Sequence, residues 1–141
     1  MANVIYNSFK RDIMNGAIDL DTDTIKVMLV TSAYTPDQDA HTKRSDITNE
    51  VSGAGYSAGG SALANKAVTA DNTDNEGVFD ADDLSWASAT ITARGAVLYK
   101  ARGGAASADE LLCFIDFGSD IASTGGTFLI TWNAEGIINL N

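Results

Sequence analysis

The chain has 141 residues, with nine Lys and Arg, nineteen Asp and Glu, and a formal net charge of −10. This length is typical of one domain, 1–141, and a strongly acidic chain is repelled by the phosphates of DNA and RNA. We therefore expect no direct nucleic-acid contact, and the absence of any run of about 18 apolar residues argues against contact with a membrane.

An amphipathic helix of about three turns is predicted over residues 1–16. Apolar residues recur at intervals of four, Asn3 is placed to cap the first turn, and Gly16 provides a stop. Lys10 and Arg11 interrupt the apolar stretch that a signal peptide needs, so we expect synthesis in the cytoplasm. The apolar side of this helix consists of Ile5, Tyr6, Phe9, Ile13 and Met14.

The first strand is predicted over residues 24–32. Both of its faces are apolar, and only Lys26 interrupts them. Strands of this kind are buried on both sides, so we expect other elements to cover both faces. The two apolar sets are Ile25, Val27 and Leu29 on one face and Met28 and Val30 on the other.

A long loop is predicted over residues 33–55. It surrounds the only proline, Pro36, with turn-forming residues and has no strand pattern. Loops of this length in a compact domain are usually functional or ordered by a partner. We therefore interpret this loop as the main contact region.

A glycine-rich stretch follows at residues 53–65. Its glycine spacing fits neither a phosphate-binding loop nor a dinucleotide fingerprint. We interpret it as an edge strand or a bulged hairpin whose backbone lies close to a neighbouring strand.

Residues 56–141 are predicted to form most of a β-sandwich, because short apolar runs alternate with Gly and Asp turns. Seven or eight strands at this spacing favour a mostly β, antiparallel two-layer sandwich, with a jelly-roll-like arrangement as one possibility. Gly95 is expected to mark a bulge, Cys113 to be a small buried residue, and Trp86 and Trp132 to lie in the core. The face predicted around Gly95 consists of Ile91, Ala93, Val97 and Tyr99.

Residues with catalytic chemistry are sparse. His41 is the only histidine and Cys113 the only cysteine, so one chain cannot assemble a zinc site of the Cys/His type. His41 lies in a polar loop, far in sequence from Cys113, and we interpret it as a solvated loop residue rather than a catalytic base. We therefore expect neither enzyme activity nor a cofactor.

The acidic residues leave one further possibility open, which is cation binding by residues 71–83. The turn carboxylates Asp80, Asp82 and Asp83 are interpreted as hydrated surface groups. An EF-hand-like count of loop positions is met in part, although the flanks are predicted strands instead of helices. The residues of that count are Asn72, Asp74, Glu76, Gly77 and Asp83.

Four long segments carry a resemblance to a known family. They are KVMLVTSAYTPDQDAH (26–41), SDITNEVSGAGYSAGG (45–60), VFDADDLSWASATITARGAVLYK (78–100) and FIDFGSDIASTGGTFLITWNAEGIINL (114–140). These segments resemble small virion proteins of tailed double-stranded DNA bacteriophages, and the chain is most similar to capsid cement or decoration proteins. The resemblance implies a protein made in the bacterial cytoplasm that becomes part of the virion, on the capsid exterior.

The same resemblance implies a dimer or trimer that binds the major capsid protein and bridges neighbouring subunits. We assign the contacts to the N-terminal segment and the long loop. The alternative is a tail- or fibre-associated virion protein, or a carbohydrate-binding host-recognition module that uses Trp86 and Tyr56. The predicted contact residues are Tyr6, Phe9, Lys10, Arg11, Tyr34, Pro36, His41, Lys43 and Arg44.

Overall fold

The protein, described here by a computed structural model over residues 2–141, is built mainly from β-strands. Its elements are β1 Val4–Ile5, α1 Asn7–Met14, β2 Ile25–Val30, β3 Ser61–Ala62, β4 Ala67–Asp71, β5 Glu76–Asp80, β6 Leu84–Lys100, β7 Leu111–Ile130 and β8 Ile138–Leu140. Two short 3-10 turns lie at Arg44–Asp46 and Ala106–Ala108. The predicted mostly β class with one short N-terminal helix is confirmed. None of the helices in the described residues is long and apolar enough to cross a membrane.

The strands form two antiparallel sheets. The five-stranded sheet has the order β1-β7-β6-β2-β3, and the three-stranded sheet has the order β4-β5-β8. Phe79 and Ile138 of the three-stranded sheet share one buried cluster with Val27 and Leu98 of the five-stranded sheet. We call this the inner cluster, and it confirms the predicted two-layer sandwich.

Strand β2 is buried on both faces, as predicted. Val27 and Leu29 belong to the inner cluster, whereas Met28 and Val30 belong to a second cluster on the opposite face of the sheet. We call this second group the outer cluster. It is completed by Tyr34, which comes from the long loop and not from a strand.

The helix is shorter than predicted, because the chain before it forms a strand. Val4 and Ile5 pair with Phe114 and Cys113 of β7, so the helix begins only at Asn7. The side chain of Asn3 does not cap it; its Oδ1 accepts the N–H of Asp116 at 2.8 Å instead.

The predicted apolar side of the helix also divides between two environments. Strand alternation places Ile5 against the inner cluster and Tyr6 in the outer cluster. Phe9 is buried in the inner cluster, but Met14, at the end of α1, is 87% exposed. The four-residue spacing that predicts one helix therefore crosses the boundary between β1 and α1.

Gly95 marks a shift of register between β6 and β7, as predicted. A Cβ at this position would overlap the ring of Phe114. The predicted common face around Gly95 is wrong, since Ile91 and Ala93 lie in the inner cluster and Val97 and Tyr99 in the outer one. Register irregularities change the face on which later residues lie.

The glycine-rich stretch does form an edge next to a close neighbour, as interpreted. β3 is the edge strand beside β2. Gly60 has a φ of +76°, and a Cβ there would overlap the carbonyl oxygen of Val27. Glycine is required because the backbone is both left-handed and in contact with β2.

Residues 33–50 cover the outer face of the five-stranded sheet. Tyr34 is buried there, and Ile47 packs against the outer cluster. The Arg44 N–H donates to the carbonyl oxygen of Asp109 at 2.9 Å, and the Val51 N–H donates to that of Leu29 at 2.9 Å. This loop is therefore part of the folded body, with its inner side attached to the sheet.

Candidate functional site

Three of the predicted contact residues lie in the protein interior. Tyr6, Phe9 and Tyr34 are each no more than 2% exposed. Tyr6 and Tyr34 complete the outer cluster, and Phe9 packs into the inner cluster. Tyr6 and Tyr34 therefore offer almost no exposed surface to a partner in this fold, because burial in the core gives an aromatic residue the same sequence pattern as an exposed anchor. Phe9 lines the apolar groove described below.

Lys43 and Arg44 are engaged in ion pairs within the chain. The Nε of Arg44 lies 2.8 Å from Asp109 Oδ2, and Lys43 Nζ lies 3.8 Å from Glu110 Oε1. Arg102 donates two hydrogen bonds to the Glu110 carboxylate, at 2.6 and 2.7 Å. This bidentate contact lowers the pKa of Glu110. Asp109 and Glu110 are buried, so these cations hold the loop to the segment before β7.

His41 is held by hydrogen bonds and stacking within the same loop. The N–H of Asp37 donates to His41 Nδ1 at 3.2 Å, so Nδ1 is an acceptor and the Tyr34 hydroxyl donates to it at 2.9 Å. The Tyr6 hydroxyl lies 2.7 Å from that of Tyr34. Burial raises the pKa of Tyr34 to about 12. His41 and Pro36 are half-buried, and this arrangement stabilises the loop.

Lys10 and Arg11 are the predicted contact residues that remain exposed, on α1. Arg11 pairs with the buried Asp12 at 2.8 Å. The second carboxylate oxygen of Asp12 and the hydroxyl of Ser8, one turn earlier, are buried and have no hydrogen-bond partner among residues 2–141. Lys10 lines an apolar groove beside the helix, as does Phe9, so two of the predicted contact residues border the surface described next.

An apolar groove of about 380 Å³ runs between α1 and the three-stranded sheet. We call it the α1 groove. Three of its side chains are largely exposed, namely Met14 at 87%, Val68 at 52% and Leu140 at 62%. Its other apolar residues include Phe9, Ile13, Val78 and Phe79.

A second groove, of about 590 Å³, lies on the other side of β8, between β7 and residues 131–139. We call it the β7 groove. Ile121 and Leu129 line it and are 43% and 58% exposed. Asn139 lines both grooves, so they form one surface around β8. This surface was not predicted from the sequence, because an apolar residue alternates with polar ones along a strand whether its face is covered or exposed.

The acidic hairpin between β4 and β5 brings three carboxylates together. Oxygen atoms of Asp71, Asp74 and Glu76 lie within 4.8 Å of one another, a spacing that suits one hard cation. Asp83 does not join them, because it lies beyond the other end of β5 and accepts the N–H of Trp132 at 3.0 Å. The EF-hand-like count that included Asp83 is therefore wrong.

The predictions for core aromatics and for the cysteine are confirmed. Trp86 is buried between Tyr56 and Phe128, at ring-centroid distances of 5.8 and 6.2 Å. Trp132 and Cys113 also belong to the inner cluster. Burial raises the pKa of Cys113 to about 12, which keeps the thiol protonated. The Tyr56 and Trp86 rings pack against each other, and Tyr56, which is partly buried, packs against the inner cluster.

No protein-family model, curated protein or solved structure matches this chain. The surface around β8 and the segments that carry the resemblance are therefore the observations from which a function is inferred.

Proposed function

We propose that this protein is a capsid decoration protein of a tailed double-stranded DNA bacteriophage. It binds the outside of the major capsid shell and stabilises the shell by bridging neighbouring subunits, without catalysing a reaction. The resemblance in four segments of the sequence supports this role. The single observation that carries it is the distribution of exposed hydrophobic side chains.

Within residues 2–141, five large hydrophobic side chains are exposed, and all of them line one of the two grooves. They are Met14, Val68, Ile121, Leu129 and Leu140. Exposed apolar residues that are scattered singly need no explanation, but a grouped set on an otherwise charged surface is typical of a binding site. The chain carries a net charge of −10, whereas Lys10 and Glu135 are the charged residues that line the two grooves, so the surface around β8 is distinct.

The mechanism follows from two grooves on one folded body, each with exposed apolar side chains. Each groove accepts apolar side chains from the shell, and a protomer that fills both is attached at two points. The second contact forms at a high effective concentration once the first has formed, so modest contacts combine into tight attachment. When the two grooves hold different capsid subunits, outward stress on one subunit is shared with its neighbour.

The test uses shells of the phage that encodes this chain, assembled without it. Purified protein is added and binding is measured by co-sedimentation. Leu140→Asp in the α1 groove and Leu129→Asp in the β7 groove should each weaken binding at least about tenfold, because they put a charge where an apolar contact is desolvated. Ser107→Asp, an equally acidic change at an exposed 3-10 turn outside both grooves, should bind as the wild type does.

Two further measurements complete this test. Shells saturated with the wild type should retain their DNA at temperatures that rupture bare shells, and shells treated with either groove variant should not. Images of intact particles should place the protein on the shell. A position on the tail, or equal binding by both groove variants and the wild type, would contradict the proposal, and a tail position would support the tail-associated alternative.

A further inference from the structure

Strand β4 is an exposed edge of the three-stranded sheet. It pairs with β5 on one side, and the sheet ends at β4 on the other. Residues 67–70 are all exposed, and their side chains are Ala, Val, Thr and Ala. An uncharged edge without proline or bulge presents free backbone N–H and C=O groups to any strand that can pair with it.

The strands at the other ends of the two sheets are shorter than β4 in the described residues. β1 and β3 have two residues each and β8 has three, whereas β4 has five. Short edges are one of the ways in which proteins prevent unwanted pairing. β6 and β7 also have an open side beyond the residues that pair with β2 and β1, but register shifts interrupt both of these strands. β4 is therefore the longest regular edge open to a partner strand.

The charges at the two ends of β4 indicate which partner fits it. Lys66 precedes the strand, and the acidic group of Asp71, Asp74 and Glu76 begins at its last residue. An antiparallel copy of the same strand places each basic end beside the acidic end of the other copy. This complementarity favours a second copy of this chain over a strand of unrelated sequence.

Symmetry then selects the register. A two-fold axis perpendicular to the sheet keeps the same face of both copies on the same side. Thr69 is the midpoint of β4, so an axis that passes between the two copies of Thr69 pairs all five residues of the strand. Thr69 then lies opposite Thr69 of the second copy, and Val68 lies opposite Ala70. Val68 points to the same face as its β5 partner Phe79, so an apolar cross-strand pair forms on the α1 side of the sheet.

We propose that two copies of this protein associate through antiparallel pairing of their β4 strands, joining the two three-stranded sheets into one continuous sheet. The pairing satisfies the free backbone groups of β4 and covers the exposed Val68. Because the axis is perpendicular to the sheet, the α1 grooves of both copies open on the same side of the dimer. A dimer of this kind presents two identical grooves to one underlying surface.

The inference goes beyond capsid binding, and it is tested on the isolated protein by sedimentation velocity. The wild type should be a dimer. Thr69→Lys and Thr69→Glu each place like charges directly opposite one another in the proposed register, so each should raise the dimer dissociation constant at least about tenfold. An equimolar mixture of the two variants should restore dimers, because Lys then lies opposite Glu.

Ser107→Lys, in an exposed turn outside the three-stranded sheet, should dimerise as the wild type does. Thermal unfolding of both Thr69 variants checks that they remain folded, and recovery of dimers in the mixture checks it independently. A monomeric wild type, dimers in both single variants, or a mixture that stays monomeric would overturn the proposal. Since no capsid is involved, these outcomes leave the capsid-binding test to be decided separately.

Discussion

In residues 33–60 and in the three-stranded sheet, burial does not follow the regularity of the secondary structure. Residues 33–60 have almost no regular structure, yet Tyr34 and Val51 are buried and Gly60 touches β2. The three-stranded sheet is regular, yet Val68 and Leu140 are largely exposed. Contact with the core, and not regular hydrogen bonding, decides which parts of this protein are free to meet a partner.

The largest expected effect tests how tightly the irregular part is packed. Gly60 and Gly103 have nearly equal φ angles, +76° and +81°, but a Cβ at Gly60 would overlap the Val27 carbonyl oxygen, whereas a Cβ at Gly103 meets open space. Gly103→Ala should cost about 1 kcal/mol from backbone strain alone. Gly60→Ala should cost more than about 4 kcal/mol or prevent folding. Equal losses of unfolding free energy for the two variants, measured by urea denaturation, would contradict the tight packing of residues 53–60 against β2.

The second prediction compares the two regions directly. Tyr34→Ala removes a buried ring from the outer cluster and should cost about 3–5 kcal/mol of unfolding free energy. Leu140→Ala changes an exposed side chain and should stay within about 0.5 kcal/mol. Tyr34→Phe keeps the ring but loses the hydroxyl contacts to Tyr6 and His41, so it should fall between them, at about 1 kcal/mol. Similar losses for Tyr34→Ala and Leu140→Ala would remove the proposed difference between the regions.

The smallest expected effect concerns the stability of the fold at acidic pH. Asp46 accepts the N–H groups of Thr42 and Lys43 at 2.9 and 3.0 Å, and these bonds lower its pKa. A folded-state pKa below the unfolded value contributes stability above about pH 4, which is lost as the pH falls through the folded-state pKa. Asp46→Asn should therefore lose less unfolding free energy than the wild type between about pH 6 and about pH 3. Parallel pH dependences of the two proteins would contradict this role.

Much of the fold was predictable because its signals are local. The two apolar faces of β2, the core positions of Trp86 and Trp132, and the register shift at Gly95 all follow from alternation and turn residues within a few positions. The predicted start of the helix was wrong for a local reason as well. Ile5 and Phe9 are four residues apart on one apolar side, but β1 ends between them, and spacing does not reveal such a boundary.

The candidate site was less predictable than the fold. Tyr34, Lys43 and Arg44 were assigned to a partner because aromatic and basic residues in a long loop are typical of contacts. Their actual partners are distant in the sequence: Tyr34 meets Tyr6, and Arg44 meets Asp109. The sequence around a charged loop residue is the same whether its counter-ion belongs to another protein or to a distant segment of the same chain.

The sequence by itself determined an acidic, mostly β fold with a short N-terminal helix and most of its core residues. These properties depend on composition and on periodicities of two or four residues. Only the tertiary structure decided that residues 33–50 cover a sheet face, that β4 is an open edge, and that Met14 and Leu140 remain exposed. Periodicity shows that a face is apolar, but whether another element covers that face depends on long-range pairing, and uncovered faces are where a partner can bind.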